Sequence, residues 1–176
     1  MTAQNEFPWM AYLNIQFWSK DVATCGGTLI SPNSILTAAH CLYGAVSVEV
    51  TLGAYDVSSS SSSQQIFNLD PQSFSPHPSF VYGQPENDIA ILTLPSNAVL
   101  NGNFHYYLLH HIYSVLLNCH SHNYILLDYV QTACLPFATD SDQVNDPVTV
   151  TGWGNFSSMG KNETNILIIE SIELEK

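Results

Sequence analysis

The chain has 176 residues, 45% of them hydrophobic, enough for one domain with a substantial core or for one domain and part of another. Three lysines and no arginine stand against fifteen carboxylates, and the net charge of −12 repels phosphate backbones and anionic membranes, so neither nucleic acid nor a membrane surface is an expected partner. Four cysteines without a Cys-x-x-Cys pair argue against zinc ribbons and thioredoxin-like motifs and favour disulfides in an oxidising compartment.

In chain order the dominant period is two. "YLNIQF" alternates Leu13, Ile15 and Phe17 with polar neighbours, as a strand with one buried face does. "GTLI" and "SILTAA" are short apolar runs bounded by turn residues, and "VSVEVTL" alternates Val46, Val48, Val50 and Leu52 with Ser47, Glu49 and Thr51. Ser58 to Ser63, followed by Gln64 and Gln65, reads as a polar, flexible surface connection. "DIAILTL" and "PVTVTGW" are two more strand candidates. No helical periodicity of comparable strength occurs outside residues 102–127, so the pattern predicts an all-β barrel or sandwich.

Two stretches carry the chemistry. "LTAAHC" sets His40 after a run of small residues and beside Cys41, and "CGGTLIS" holds Cys25 sixteen residues earlier. A Cys25–Cys41 bridge would close a loop worth roughly 3 kcal/mol and anchor the histidine backbone, which a general base requires. "ENDIAILTL" places Asp88 at the mouth of an apolar strand, where a carboxylate can accept the imidazole N–H and fix its tautomer.

Six stretches in this order, "EFPWMAYL", "CGGTLIS", "LTAAHC", "NDIAIL", "QTACLP" and "VTGWG", resemble the chymotrypsin-like (trypsin-like, S1-type) serine proteases over residues 4–101 and 128 to about 160. The resemblance implies a trypsin-like double Greek-key β-barrel with the active site in the cleft between the barrels. Residues 1–101 would form the N-terminal barrel, and 128–160 the inter-barrel segment and the start of the C-terminal one. It assigns His40 as general base and Asp88 as the residue that orients it, and it implies protein or peptide substrates, secretion, no cofactor and no metal. Cys134 matches the cysteine that tethers a propeptide or light chain in many relatives.

The pattern then departs from the family. No Gly-Asp-Ser-Gly-Gly motif follows "GWG", so the nucleophilic serine, the oxyanion hole it helps to form and the specificity pocket are missing from these residues. The chain opens "MTAQNEFPW" instead of an Ile-Val-Gly-Gly-like terminus, with no signal peptide before it. Where the family's calcium loop supplies carboxylates, only Asp56 stands before the serine run, too little charge for a hard cation. The expectation is a serine endopeptidase by family whose 176 residues are inactive as written. The alternative is an inactive homologue serving as a binding or regulatory module, or a non-functional truncated product.

Residues 102–127 contain no Asp, Glu, Lys or Arg and five of the seven histidines. A metal site using His110, His111, His120 and His122 lacks any acidic or thiolate support beyond Cys119, and a membrane helix is broken by the histidines and asparagines. The favoured reading is a retained intron. Gly102-Asn103 can be encoded G|GTAAT, Leu127-Asp128 can be encoded with TTAG before the last two bases of the Asp codon, and removing 102–127 restores a continuous family text. Met159-Gly160-Lys161-Asn162 can likewise be encoded with a splice donor, making 161–176 a second read-through; the alternative for that tail is an ordinary strand or helix. Cys119 would then be an unpaired thiol of the insert.

Overall fold

A computed structural model describes residues 6–100, 130–135, 147–154 and 168–173. The insert at 102–127, with Cys119 and its histidines, lies outside the described residues. Strands β1 (Met10–Phe17), β2 (Val22–Ser31) and β3 (Ser34–Thr37) are followed by a one-turn helix α1 (Ala39–Leu42) and by β4 (Ala45–Leu52). Then come β5 (Gln65–Leu69), a 3₁₀ turn at Pro71–Ser73, β6 (Phe74–Pro76), β7 (Ala90–Thr93), β8 (Pro147–Gly152) and β9 (Ile168–Glu173).

Seven strands form one curled antiparallel sheet in the order β5-β4-β1-β2-β3-β7-β6, and β8 and β9 form a separate antiparallel pair. Within the larger sheet β4 returns to lie beside β1 on the side away from β2 and β3. That order, 4-1-2-3, is a Greek key. The all-β expectation therefore holds, with one local difference: "SILTAA" is a strand only to Thr37, and Ala39 already belongs to α1. The described part of the tail, Ile168–Glu173, is a strand paired with β8.

The alternating residues face one core. Ala11, Leu13 and Ile15 of β1, Val48, Val50 and Leu52 of β4, and Leu29, Ile35 and Leu92 from β2, β3 and β7 are fully buried together. Ala98 and Val130, one on each side of the insert, are buried in this same core. The Ala98 N–H donates to the Pro32 carbonyl at 2.7 Å, and those of Gln131 and Ala133 donate to Pro8 and Leu29 at 3.0 and 2.8 Å.

The serine run is more structured than its composition suggests. Asp56 Oδ1 accepts from the Ser58 N–H at 2.8 Å and from its hydroxyl at 2.6 Å, which holds the Asp56 carboxyl below the usual range. Gly53 has φ +72°, and a Cβ there would sit 2.6 Å from the Ser63 carbonyl oxygen, so only glycine permits this loop to fold back.

Truncating Leu13 to Ala should lower the unfolding free energy by about 2–5 kcal/mol. Glu49→Ala, on the exposed face of β4, should change it by no more than about 0.5 kcal/mol. Urea unfolding followed by tryptophan fluorescence checks this, and equal losses would contradict a single buried face.

Candidate active site

Topology explains why His40 and Asp88 meet. β3 and β7 are antiparallel neighbours with Thr37 opposite Ala90, so the residues just after β3 and just before β7 emerge at the same end of the sheet. His40 follows Thr37 by three positions and Asp88 precedes Ala90 by two. β2 adds Cys25 at that end, where the Thr37 hydroxyl donates to the Gly26 carbonyl at 2.9 Å.

The helix that carries His40 begins at Ala38, which has extended backbone and offers no side-chain cap. Its exposed N–H groups need an acceptor from elsewhere. Asp88 supplies one: its Oδ1 accepts the His40 backbone N–H at 2.7 Å, while its Oδ2 lies 2.6 Å from His40 Nδ1. One carboxylate thus caps the helix and pins the ring. The Cys25–Cys41 disulfide is formed, and Ala39, Cys41 and Leu42 are buried beneath the helix.

Asp88 is aimed by the turn before it. Asn87 has φ +60°, a left-handed conformation that asparagine tolerates better than most residues, and the Ile89 N–H donates to the Asn87 carbonyl at 2.8 Å across Asp88. The Asn87 side-chain amide donates to the Ser79 carbonyl at 3.4 Å. Sequence reasoning missed Asn87; an Asn directly before the key carboxylate is the one available signal. It also missed Tyr43, the residue that ends α1, whose ring stacks on Tyr82 with centroids 4.3 Å apart. Beside α1 lies a cavity of about 270 Å³ walled by Leu42, Tyr43, Pro71, Phe74 and Phe80.

Of the sequence-predicted residues, His40, Asp88, Cys25 and Cys41 converge, and Cys134 does not join them. Cys134 is disulfide-bonded. Cys41 Sγ lies 3.5 Å from His40 Nε2.

On this all-β scaffold of Greek-key strands a solvent-facing imidazole, 56% exposed, is held by a less exposed carboxylate. The sequence profile of the family described as "Trypsin" matches residues 1–173, and the chain belongs to that family, the trypsin-like (S1) serine proteases. It is 30% identical over 181 residues to "Serine protease 7" of Drosophila melanogaster, covering 92% of this chain and 39% of the fly protein. It is also 30% identical over 181 residues to "Vitamin K-dependent protein C" of Mus musculus, covering 99% of this chain and 33% of the mouse protein. The chain therefore spans well under half of either relative. Among solved structures, "Structure of GrC" superposes with a TM-score of 0.78 at 25% identity, covering 99% of this chain and 63% of the other. A second, "HL collagenase structure at 1.7A resolution", gives 0.74 at 25% identity, with 99% and 61% covered. No helix among the described residues is long and apolar enough to cross a membrane.

The hydrogen bond from the His40 ring, then that from its backbone N–H, holds the Asp88 carboxyl below the usual carboxylate range, against a smaller opposing effect of burial. A depressed folded-state value means the contact stabilises fully above the unfolded carboxyl's ordinary value of 3.8 and is lost as pH falls through the lower folded one. Carbon-13 NMR should show Asp88 titrating below 3.8, with His40→Ala moving the midpoint up. A midpoint at or above 3.8 in the unsubstituted chain sinks this account.

Proposed function

We propose that this chain is the base-bearing part of a secreted serine endopeptidase, with His40 as general base and Asp88 as the residue that orients it. The observation that carries the reading is the two-point contact of one Asp88 carboxylate on the His40 ring and backbone. With Oδ2 on Nδ1, the ring proton is kept on Nδ1 and Nε2 is left to accept the proton of an attacking serine hydroxyl. The imidazolium that forms is then stabilised by the carboxylate, and the proton passes on to the leaving amine. The nucleophile and oxyanion donors come from the family's Gly-Asp-Ser-Gly-Gly segment, which these 176 residues do not contain, so the chain alone does not complete the reaction. Substrates are proteins or peptides, and the Cys25–Cys41 disulfide supports an oxidising, extracellular setting.

Residues 102–127 are read as a retained intron and 161–176 as a second read-through. The burial of Ala98 and Val130 in one core supports the first, because the chain leaves and re-enters the same packed body across the insert. In a product spliced without 102–127, Cys119 is absent, and a propeptide or light chain is the proposed source of the Cys134 partner. The alternative reading is an inactive homologue acting as a binding or regulatory module. The residue encoded at the nucleophile position separates the two.

Amplification from messenger RNA should yield a product shorter by the 78 nucleotides that encode residues 102–127, and a uniform product retaining them overturns the intron reading. In a full-length protein that carries the serine motif, Asp88→Asn should lower kcat by about 10⁴-fold toward a peptide substrate while leaving the fold intact. A loss of less than about tenfold would remove Asp88 from the proposed role.

A further inference from the structure

Asp88 reaches His40 from an exposed stretch of chain. We propose that a second histidine, His77, is a positioning residue for Asp88: its ring sets the turn at residues 77–80, the Ser79 carbonyl of that turn tethers Asn87, and Asn87 aims the carboxylate. For its part in catalysis this role rests on the proposed function, but the contact it sets is measurable without any activity.

Burial does little to fix this region. The side chains of residues 75–79 and 81–87 are exposed, and Phe80 between them packs against the core. Hydrogen bonds therefore decide where the rest of the two segments lies. β6 and β7 pair as far as Pro76 opposite Ala90, and the His77 N–H extends that ladder by donating to the Ile89 carbonyl at 2.9 Å. The chain then turns. Pro78 fixes φ at the second position, and the Phe80 N–H donates to the His77 carbonyl at 2.9 Å.

Inside this turn the Ser79 N–H donates to His77 Nδ1 at 3.2 Å. A backbone N–H can only donate, so the ring accepts at Nδ1 and carries its proton on Nε2. That is the reverse of His40, whose Nδ1 faces a carboxylate that can only accept. An Asn or Asp side chain commonly bonds the N–H two residues on, and His77 does the same with a nitrogen one bond beyond Cγ, where an Asn amide oxygen would stand.

The Ser79 carbonyl is thereby held toward Asn87, whose side-chain amide donates to it at 3.4 Å. The Asn87 carbonyl accepts the Ile89 N–H at 2.8 Å, closing a three-residue turn with Asp88 at its apex. The hydrogen bonds thus run in a circuit from His77 to Ser79, Asn87, Ile89 and back to His77, and Asp88 sits inside it. Asp88 must meet the His40 N–H and ring together, at 2.7 and 2.6 Å, and such bonds weaken steeply when misaligned. Without the Nδ1 acceptor the Ser79 peptide is free to rotate, its carbonyl leaves Asn87, and the carboxylate samples poorer angles.

The test is NMR of the 176-residue chain at about pH 8, where histidine rings are ordinarily neutral, reading the His40 Nδ1 proton. In the unsubstituted chain its bond to the carboxylate should place it far downfield. His77→Ala should move it upfield and speed its exchange with water by about 2–10-fold, the factor set by the net worth of one hydrogen bond. A pH titration of the same variant should show the Asp88 midpoint raised. His77→Asn keeps an acceptor in the same place and should restore all three readouts. Asn87→Gly keeps the left-handed backbone but removes the amide, so it should reproduce the His77→Ala changes, and combining the two should add nothing further. An unmoved proton in either single variant, no rescue by His77→Asn, or additive effects in the double variant overturn the positioning role and leave the proposed function standing. Absence of a downfield proton in the unsubstituted chain removes the His40–Asp88 contact and overturns both.

Discussion

A four-residue helix has no stability of its own: its backbone makes too few internal bonds to offset the cost of ordering it. Helix α1 nevertheless presents His40, the base of the proposed function. Everything that keeps it in place comes from elsewhere in the chain. Cys25 reaches it from β2, Asp88 reaches it from the turn before β7, and Ala39, Cys41 and Leu42 sink into the core below. The position of His40 is therefore a property of three non-local contacts, and a change in any of them is felt at the imidazole.

The Greek-key order makes those contacts possible at low cost. Because β3 lies between β2 and β7, a residue leaving β3 has Cys25 on one side and Asp88 on the other without any long loop. The register of Thr37 against Ala90 then sets how far each must reach. Asp88 makes both of its contacts from a turn with a left-handed residue at Asn87, a local strain tolerated where the surrounding sheet fixes both ends.

Much of this was legible in the sequence, for identifiable reasons. Strands with strict alternation, such as Val48, Val50 and Leu52, declare their buried face. β5 and β6 went unread because Ile66 is exposed and Phe67 only partly buried, so neither short strand shows a clean period. α1 went unread because it lacks both a side-chain cap and the length for helical periodicity. His40 and Asp88 were found through motif resemblance, but their contact spans 48 positions, and no local pattern encodes that or the stacking of Tyr43 on Tyr82. The approach of Cys41 to Nε2 was equally hidden, since it depends on the rotamer that Asp88 imposes on the ring.

β1 shows how one period-two strand serves two bodies. Its residues Ala11, Leu13 and Ile15 fill the main core, while Met10 and Tyr12 point to the other face and receive the second sheet. There the Trp153 ring packs edge-on against Tyr12, its indole N–H donates to the Tyr55 carbonyl at 3.2 Å, and the Thr151 hydroxyl donates to the Met10 sulfur at 3.0 Å. The His40–Asp88 contact is made wholly by residues of the first sheet and its connections, before β8 and β9 are considered. On the proposed function, the base is thus preformed within one body, and what the second body must add by docking through Trp153 is the nucleophile and the oxyanion donors that face it.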